Sequence, residues 1–178
     1  MFFCLSGKNE NKCPLAGSSS IFYLCCSGII LIYPFSLIKL PMELIHFSAG
    51  TSTVEQAMAQ LKIARSDIVK SILLFAGDKP VLCILQGDRS IDFQKVRALT
   101  NESNVRMATP AEVLANTGFP VGAVTPLSSL PLVFLDSPVA EREKVYAGGG
   151  TKETLMLVSV REILSSSHPK VHPISRPK

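Results

Sequence analysis

The sequence predicts an α+β fold, a single domain in which helices flank a mixed β-sheet. Three observations predict it. Capping boxes recur at residues 52–55, 109–112 and 159–162, each heading a short helical segment. Apolar runs of strand length, among them IVKSILLFA and VLCILQ, stand between those segments. The 178 residues suffice for one domain with a real core and are few for two.

From Met42 onward the elements follow one another closely. Ser52 and Glu55 form the first capping box; Val54, Ala57, Met58 and Leu61 then share one face of a helix that ends near residues 62–64. IVKSILLFA is a strand, GDKP at 77–80 a turn, and VLCILQ the returning strand. Both runs are apolar without alternation, which predicts a central hairpin buried on both faces. GDRS at 87–90 breaks the second strand, Asp92 caps a helix reaching about Leu99, and residues 105–107 are a short strand. Thr109 and Glu112 form the second box, with Pro110 at the first helical position, where its missing N–H costs nothing. Val113 and Leu114 give that helix its apolar side and Gly118 ends it. A Gly/Pro loop, TGFPVGAVTP at 117–126, leads to a strand at 131–136, and two further strands, at 144–147 and 154–158, surround three glycines. Ser159 and Glu162 open the last helix, and residues 168–178 read as a flexible, Pro-rich tail.

The composition is that of a globular chain leaning apolar, with 47% hydrophobic and 18% charged residues, which excludes a disordered or repetitive class. A net charge of +4 permits a nucleic-acid partner without requiring one. Cys4, Cys13, Cys25 and Cys26 all precede Met42, and Cys83 reads as a small core residue. No cysteine pair stands at zinc-ligand spacing beside histidines, so neither a metal site nor a disulfide framework is predicted. Residues 1–41 admit three readings. IFYLCCSGIILIYPFSLIKL, residues 21–40, has the length of a membrane span but is interrupted by Ser27, Gly28, Pro34, Ser36 and Lys39. A secretory signal lacks its small-residue cleavage pattern. The reading adopted is that residues 1–41 are upstream sequence and the domain spans 42–167, with no stable membrane partner.

Three places lack an obvious packing explanation. Lys70 interrupts the apolar strand: it is either a lysine whose stem is buried and whose ammonium reaches water, or a cation at a cleft wall that binds a phosphate or stabilises an oxyanion. In the loop at 117–126, Gly122 can let backbone N–H groups turn toward a ligand. Gly148, Gly149 and Gly150 give up chain order for no packing gain, either as a surface turn or as backbone pressed against a ligand. Neither a GxGxxG after a strand nor a GxxxxGK is present, so no nucleotide cofactor, and no cofactor of any kind, is expected.

The ordered set of IVK, a hairpin ending in GD, TPAEV, TGFPVGAVTP, a strand ending in Asp136 and VYAGGG resembles the YbaK family, which is similar to the editing domain of bacterial prolyl-tRNA synthetases. The resemblance covers residues 53–164. It implies a curved sheet, a cytoplasmic protein and a hydrolase that trans-edits, cleaving the ester between a wrong amino acid and its tRNA. It places Lys70, Gly118 and Gly122 in the catalytic set, with Lys70 at the tRNA end and the loop amides on the ester carbonyl. His46, Val124, Pro126 and Gly148–Gly150 become substrate-binding positions. The water is assisted by the ribose 2′-hydroxyl, so no Ser/His/Asp set is needed. The implied partner is a tRNA acceptor end carrying a mischarged amino acid, with an aminoacyl-tRNA synthetase as a second candidate.

Two positions depart from the family pattern. Gly148 stands where some relatives carry a hydroxyl residue, and Leu155 where some carry an acid in the following strand. Both would line the pocket and bear on the amino acid accepted. The rival reading is a non-catalytic module of the same fold that binds an aminoacyl group or tRNA end without turnover. On the catalytic reading, the Lys70 ammonium faces Gly118–Gly122 and Gly148–Gly150 across one cleft.

Overall fold

The computed structural model describes residues 61–178, the strand at 43–46 and the backbone of two dipeptides near the N-terminus. The chain divides into two units, 1–39 and 40–178, close to the expected boundary at Met42. In the first, Tyr23–Leu24 (β1) and Ile30–Leu31 (β2) pair antiparallel. The first capping box and its helix lie outside the described residues except for the end of the helix at Leu61.

In the second unit Glu43–His46 (β3) is followed, after a 3-10 turn at Arg65–Asp67, by the expected hairpin of Val69–Ala76 (β4) and Lys79–Gln86 (β5). Its turn is tighter than GDKP suggests: only Gly77 and Asp78 turn, and Pro80 is a strand residue opposite Phe75. β5 meets its other neighbour only from Leu82 on, so the N–H that Pro80 lacks has no ladder bond to leave open. Arg89–Ile91 (β6) is a strand the sequence reading missed, since GDRS there suggested only a break.

Phe93–Thr100 (α1) begins at Asp92, whose carboxylate accepts from the Gln94 and Lys95 amides, and ends on Asn101 in the left-handed region. Val105–Met107 (β7) leads into Pro110–Thr117 (α2), where the Thr109/Glu112 box is complete in both directions. Val133–Asp136 (β8) and the short Ser137–Ala140 (α3) precede Lys144–Gly148 (β9) and Thr154–Ser159 (β10). Val160–Ser167 (α4) is capped by Ser159, which accepts from the Glu162 amide. The reciprocal half of that box is absent: the Glu162 carboxylate is buried with no hydrogen-bond partner among the described residues.

The residues from 168 onward are not a loose tail. Lys170–His172 (β11) adds parallel to β8, and Ser175–Pro177 (β12) pairs antiparallel with β6. Ile174 between them is fully buried, worth about 1.5–3 kcal/mol of apolar burial, and that anchor is why proline content misleads here.

The sheet is mixed as expected but divided. Five strands run β11-β8-β5-β4-β7, three run β3-β10-β9, and β12-β6 stand apart. A lone parallel bridge, Ile68 to Tyr146, joins the start of β4 to β9. The hairpin is central, with a core on each face: Val69, Leu73, Leu82 and Ile84 pack with Val145, Ala147, Val158 and Ile163, while Leu74, Val81, Cys83 and Leu85 pack with Val96, Phe134 and Ile174. Burial on both faces accounts for the unbroken apolar run.

Candidate functional site

The two glycine-rich segments meet. The Gly150 N–H donates to the Ala123 carbonyl at 3.0 Å, and Gly148 lies so close to the loop that a Cβ there would stand 2.7 Å from the Val124 carbonyl oxygen. Gly148 is therefore explained by a close approach of backbone to backbone. Within the loop, the Ala123 N–H closes a turn on the Pro120 carbonyl at 3.0 Å, and Gly122, at φ 89°, occupies the turn position that requires a positive φ.

These bonds decide which amides remain for a ligand. The Gly118 N–H is committed to the Leu114 carbonyl at the end of α2, the Gly149 N–H to the Thr154 carbonyl and the Gly150 N–H to Ala123. Gly118 is thus a helix cap, as its left-handed conformation requires, and its amide is not available to an ester. The amides of Gly122 and Val124 make no hydrogen bond among the described residues. Val124 itself is buried against the core, and the Pro126 carbonyl accepts from the Ser167 hydroxyl at 2.8 Å, so Pro126 fastens the loop to α4.

His46 is brought to the same end of the molecule. It stands opposite Thr154 in the β3–β10 register, and its Nδ1 is 3.1 Å from the Thr154 hydroxyl, which is in turn 2.7 Å from that of Thr151. The sequence reading missed both threonines; TKET directly after three glycines was the available signal. Leu155, expected to line the pocket, is buried against Ile68 instead.

Lys70 belongs to the face of β4 that carries Ile72 and Leu74, opposite the face on which Leu73 shares a core with Val124 and Ala147. Lys70 and Gly148 each stand two residues beyond the Ile68–Tyr146 bridge, on strands that run in the same direction there. The register therefore brings the start of β4 beside the glycine turn, while the ammonium donates to the Arg89 carbonyl at 2.5 Å. The Arg89 carbonyl is thus one partner of the Lys70 ammonium.

Behind Arg89 lies a buried ionic cluster absent from the sequence reading. Asp136 is fully buried; it accepts from the Ile174 amide at 3.0 Å and from the Ser175 hydroxyl, and it lies 3.5 Å from the Arg89 Nε, which also donates to Ser175 at 2.5 Å. Burial, with the Asp136 charge as a second cause, pushes the Cys83 thiol up to about 12. An acid closing the apolar run VFLD was the signal that a buried partner must exist. A cavity of about 380 Å³ is lined by Pro110, Ala111 and Leu114 of α2, Pro120 and Val121 of the loop, and Lys152. No group of metal-ligating side chains occurs among the described residues.

A family described as "Aminoacyl-tRNA editing domain" matches residues 48–165. The proline–tRNA ligase of Pseudothermotoga lettingae is 32% identical over 117 residues, 65% of this chain, which spans only 20% of that ligase. The protein YwhH of Bacillus subtilis is 32% identical over 132 residues, covering 72% of this chain and 83% of YwhH. Among solved structures, the hypothetical protein APE2540 superposes with a TM-score of 0.71 at 30% identity, covering 77% of this chain and 93% of that one. A protein proposed as a trans-editing enzyme for prolyl tRNA synthetase superposes at 0.69 with 27% identity, covering 76% and 87%.

Proposed function

Because the chain belongs to the aminoacyl-tRNA editing domain family, we propose that it is a cytoplasmic, trans-acting deacylase that hydrolyses the ester of mischarged tRNA. The observation that carries this reading is the junction of the two glycine segments, Gly150 N–H to Ala123 carbonyl, which holds the loop with the Gly122 and Val124 amides uncommitted among the described residues. In the proposed reaction a water, assisted by the ribose 2′-hydroxyl, adds to the ester carbonyl carbon. Negative charge builds on the carbonyl oxygen, where the Gly122 and Val124 amides donate, a preorganised interaction worth about 100- to 1,000-fold in rate per donor. Collapse breaks the bond to the ribose 3′-oxygen, which takes a proton and leaves as tRNA, releasing the free amino acid. Lys70, at the start of β4 beside the glycine turn, offers its cation to a phosphate of the acceptor end. His46 and Thr154 flank the glycine turn at which the aminoacyl group sits. A synthetase is the proposed second partner, since the ligase matched above carries the domain within its own chain.

The test is release of amino acid from a panel of mischarged tRNAs. Wild type is expected to hydrolyse at least one, and Lys70→Ala to lose about 100-fold in kcat/KM, the size of one well-placed charged donor. No hydrolysis by wild type of any member removes the enzymatic reading. A second reading, binding without turnover, is favoured by Gly148 and Leu155 standing where relatives carry polar groups, with Leu155 packed away in apolar surroundings. Tight binding of aminoacyl-tRNA with no release decides for it.

A further inference from the structure

We propose that the C-terminal strand is a positioning element for Lys70, with Asp136 as its pin, an inference that rests on the deacylase reading for its kinetic consequence. The matched family segment ends at residue 165, so β11 and β12 lie beyond it. They nonetheless reach the Lys70 ammonium in two steps. β12 pairs with β6 in the register Ser175–Ile91, Arg176–Ser90 and Pro177–Arg89, which fixes the backbone of Arg89. The carbonyl of that residue accepts the Lys70 Nζ at 2.5 Å.

The side chains of the same residues lock the arrangement from behind. Arg89 Nε is held between the Ser175 hydroxyl and the Asp136 carboxylate, and the remaining Asp136 oxygen takes the Ile174 amide. Lys95 adds a bond from its Nζ to the Ser175 carbonyl at 3.0 Å, and the Asp92 amide bonds to the Ile174 carbonyl at 2.9 Å. A lysine has four rotatable bonds and a diffuse reach, so a carbonyl held in place restrains where its ammonium can stand. Asp136, Ser175 and Arg89 do not touch substrate in this scheme; they act through the Arg89 carbonyl.

Two full-length-derived variants test it: a chain ending at His172, which lacks β12, and Ser175→Ala, which keeps every element but removes the hydroxyl between Arg89 and Asp136. Lysine reductive methylation, read peptide by peptide by mass spectrometry, is expected to label Lys70 about three- to tenfold faster in both, with exposed Lys144 unchanged. On mischarged tRNA, kcat is expected to fall about three- to tenfold while KM stays within about twofold. In a Lys70→Ala background neither change is expected to lower the residual rate further, because the two act through one group. Unchanged Lys70 labelling, equal acceleration at Lys70 and Lys144, or full additivity with Lys70→Ala each overturns the proposal. If the shortened chain does not fold, Ser175→Ala decides alone. If wild type hydrolyses no mischarged tRNA, the deacylase reading fails, and the labelling still judges the positioning by itself.

Discussion

Replacing Gly148 by alanine tests the junction on which the site depends. The added Cβ would meet the Val124 carbonyl oxygen at 2.7 Å and the Ala123 carbonyl carbon and oxygen at 3.0 and 3.1 Å. An ordinary carbon–oxygen contact is on the order of 3.3 Å, so the loop must retreat by roughly half an ångström. It cannot do so freely. The Ala123 carbonyl is bonded to the Gly150 amide, and further on the Pro126 carbonyl and the Ser128 amide are both bonded to the Ser167 hydroxyl. Overpacking of this kind costs about 1–3 kcal/mol, which lowers Tm by roughly 3–10 °C for a unit of this size. A retreat of half an ångström at the Gly122 and Val124 amides is expected to lower kcat about tenfold, scaled from the roughly 100-fold cost of a full ångström. Thermal melting and steady-state deacylation measure the two effects on one preparation. A Gly148→Ala protein with wild-type Tm and kcat would falsify the claim that backbone approach is what selects glycine there.

Three further outcomes follow from the buried and paired groups. Burial pushes the Glu162 carboxyl above its ordinary value, so its penalty is absent below the unfolded value and grows as pH rises through the folded one. Glu162→Gln should therefore raise Tm at pH 7, with a gain that vanishes as the melts are repeated below about pH 4.5. Arg106, doubly bonded to Glu112 at 2.7 and 2.8 Å, together with the Thr109 amide, holds the Glu112 carboxyl at about 2, against an ordinary 4.5. The Tm advantage of wild type over Glu112→Gln is thus expected above about pH 4.5 and lost as pH falls toward 2, and an advantage that persists at pH 2 would sink the pairing. Cys83, with its thiol near 12, should resist alkylation at pH 8 in the native protein and react once unfolded in denaturant, as read on its own peptide.

Much of the scaffold was legible because its signals are local. The Thr109/Glu112 box, Pro110 and Gly118 define α2 within one short stretch, and each bond they imply is present. The hairpin was legible from two apolar runs about a turn, though its turn proved two residues shorter at the Lys79–Pro80 end. Ser159 shows the limit of such reasoning. Its hydroxyl caps α4 as a box requires, yet tertiary packing buries the Glu162 carboxylate that should have completed it. The C-terminal residues were misread because Pro173 and Pro177 suggest looseness, and nothing nearby in sequence announces that Asp136 waits for the Ile174 amide.

The sequence alone determined where helices start and stop, which runs are strands, and which residues are candidates for chemistry, because those follow from capping, backbone permissiveness and apolar patterning over a few residues. Only the tertiary structure decided what each candidate can do. It consigned Gly118 to a helix cap, left the Gly122 and Val124 amides without a bond to any of the described residues and gave Gly148 a steric reason. It also turned Lys70 toward a carbonyl governed by a strand more than eighty residues away. Hydrogen-bond donors are committed by whichever acceptor long-range packing brings within reach, and no local pattern records that distance.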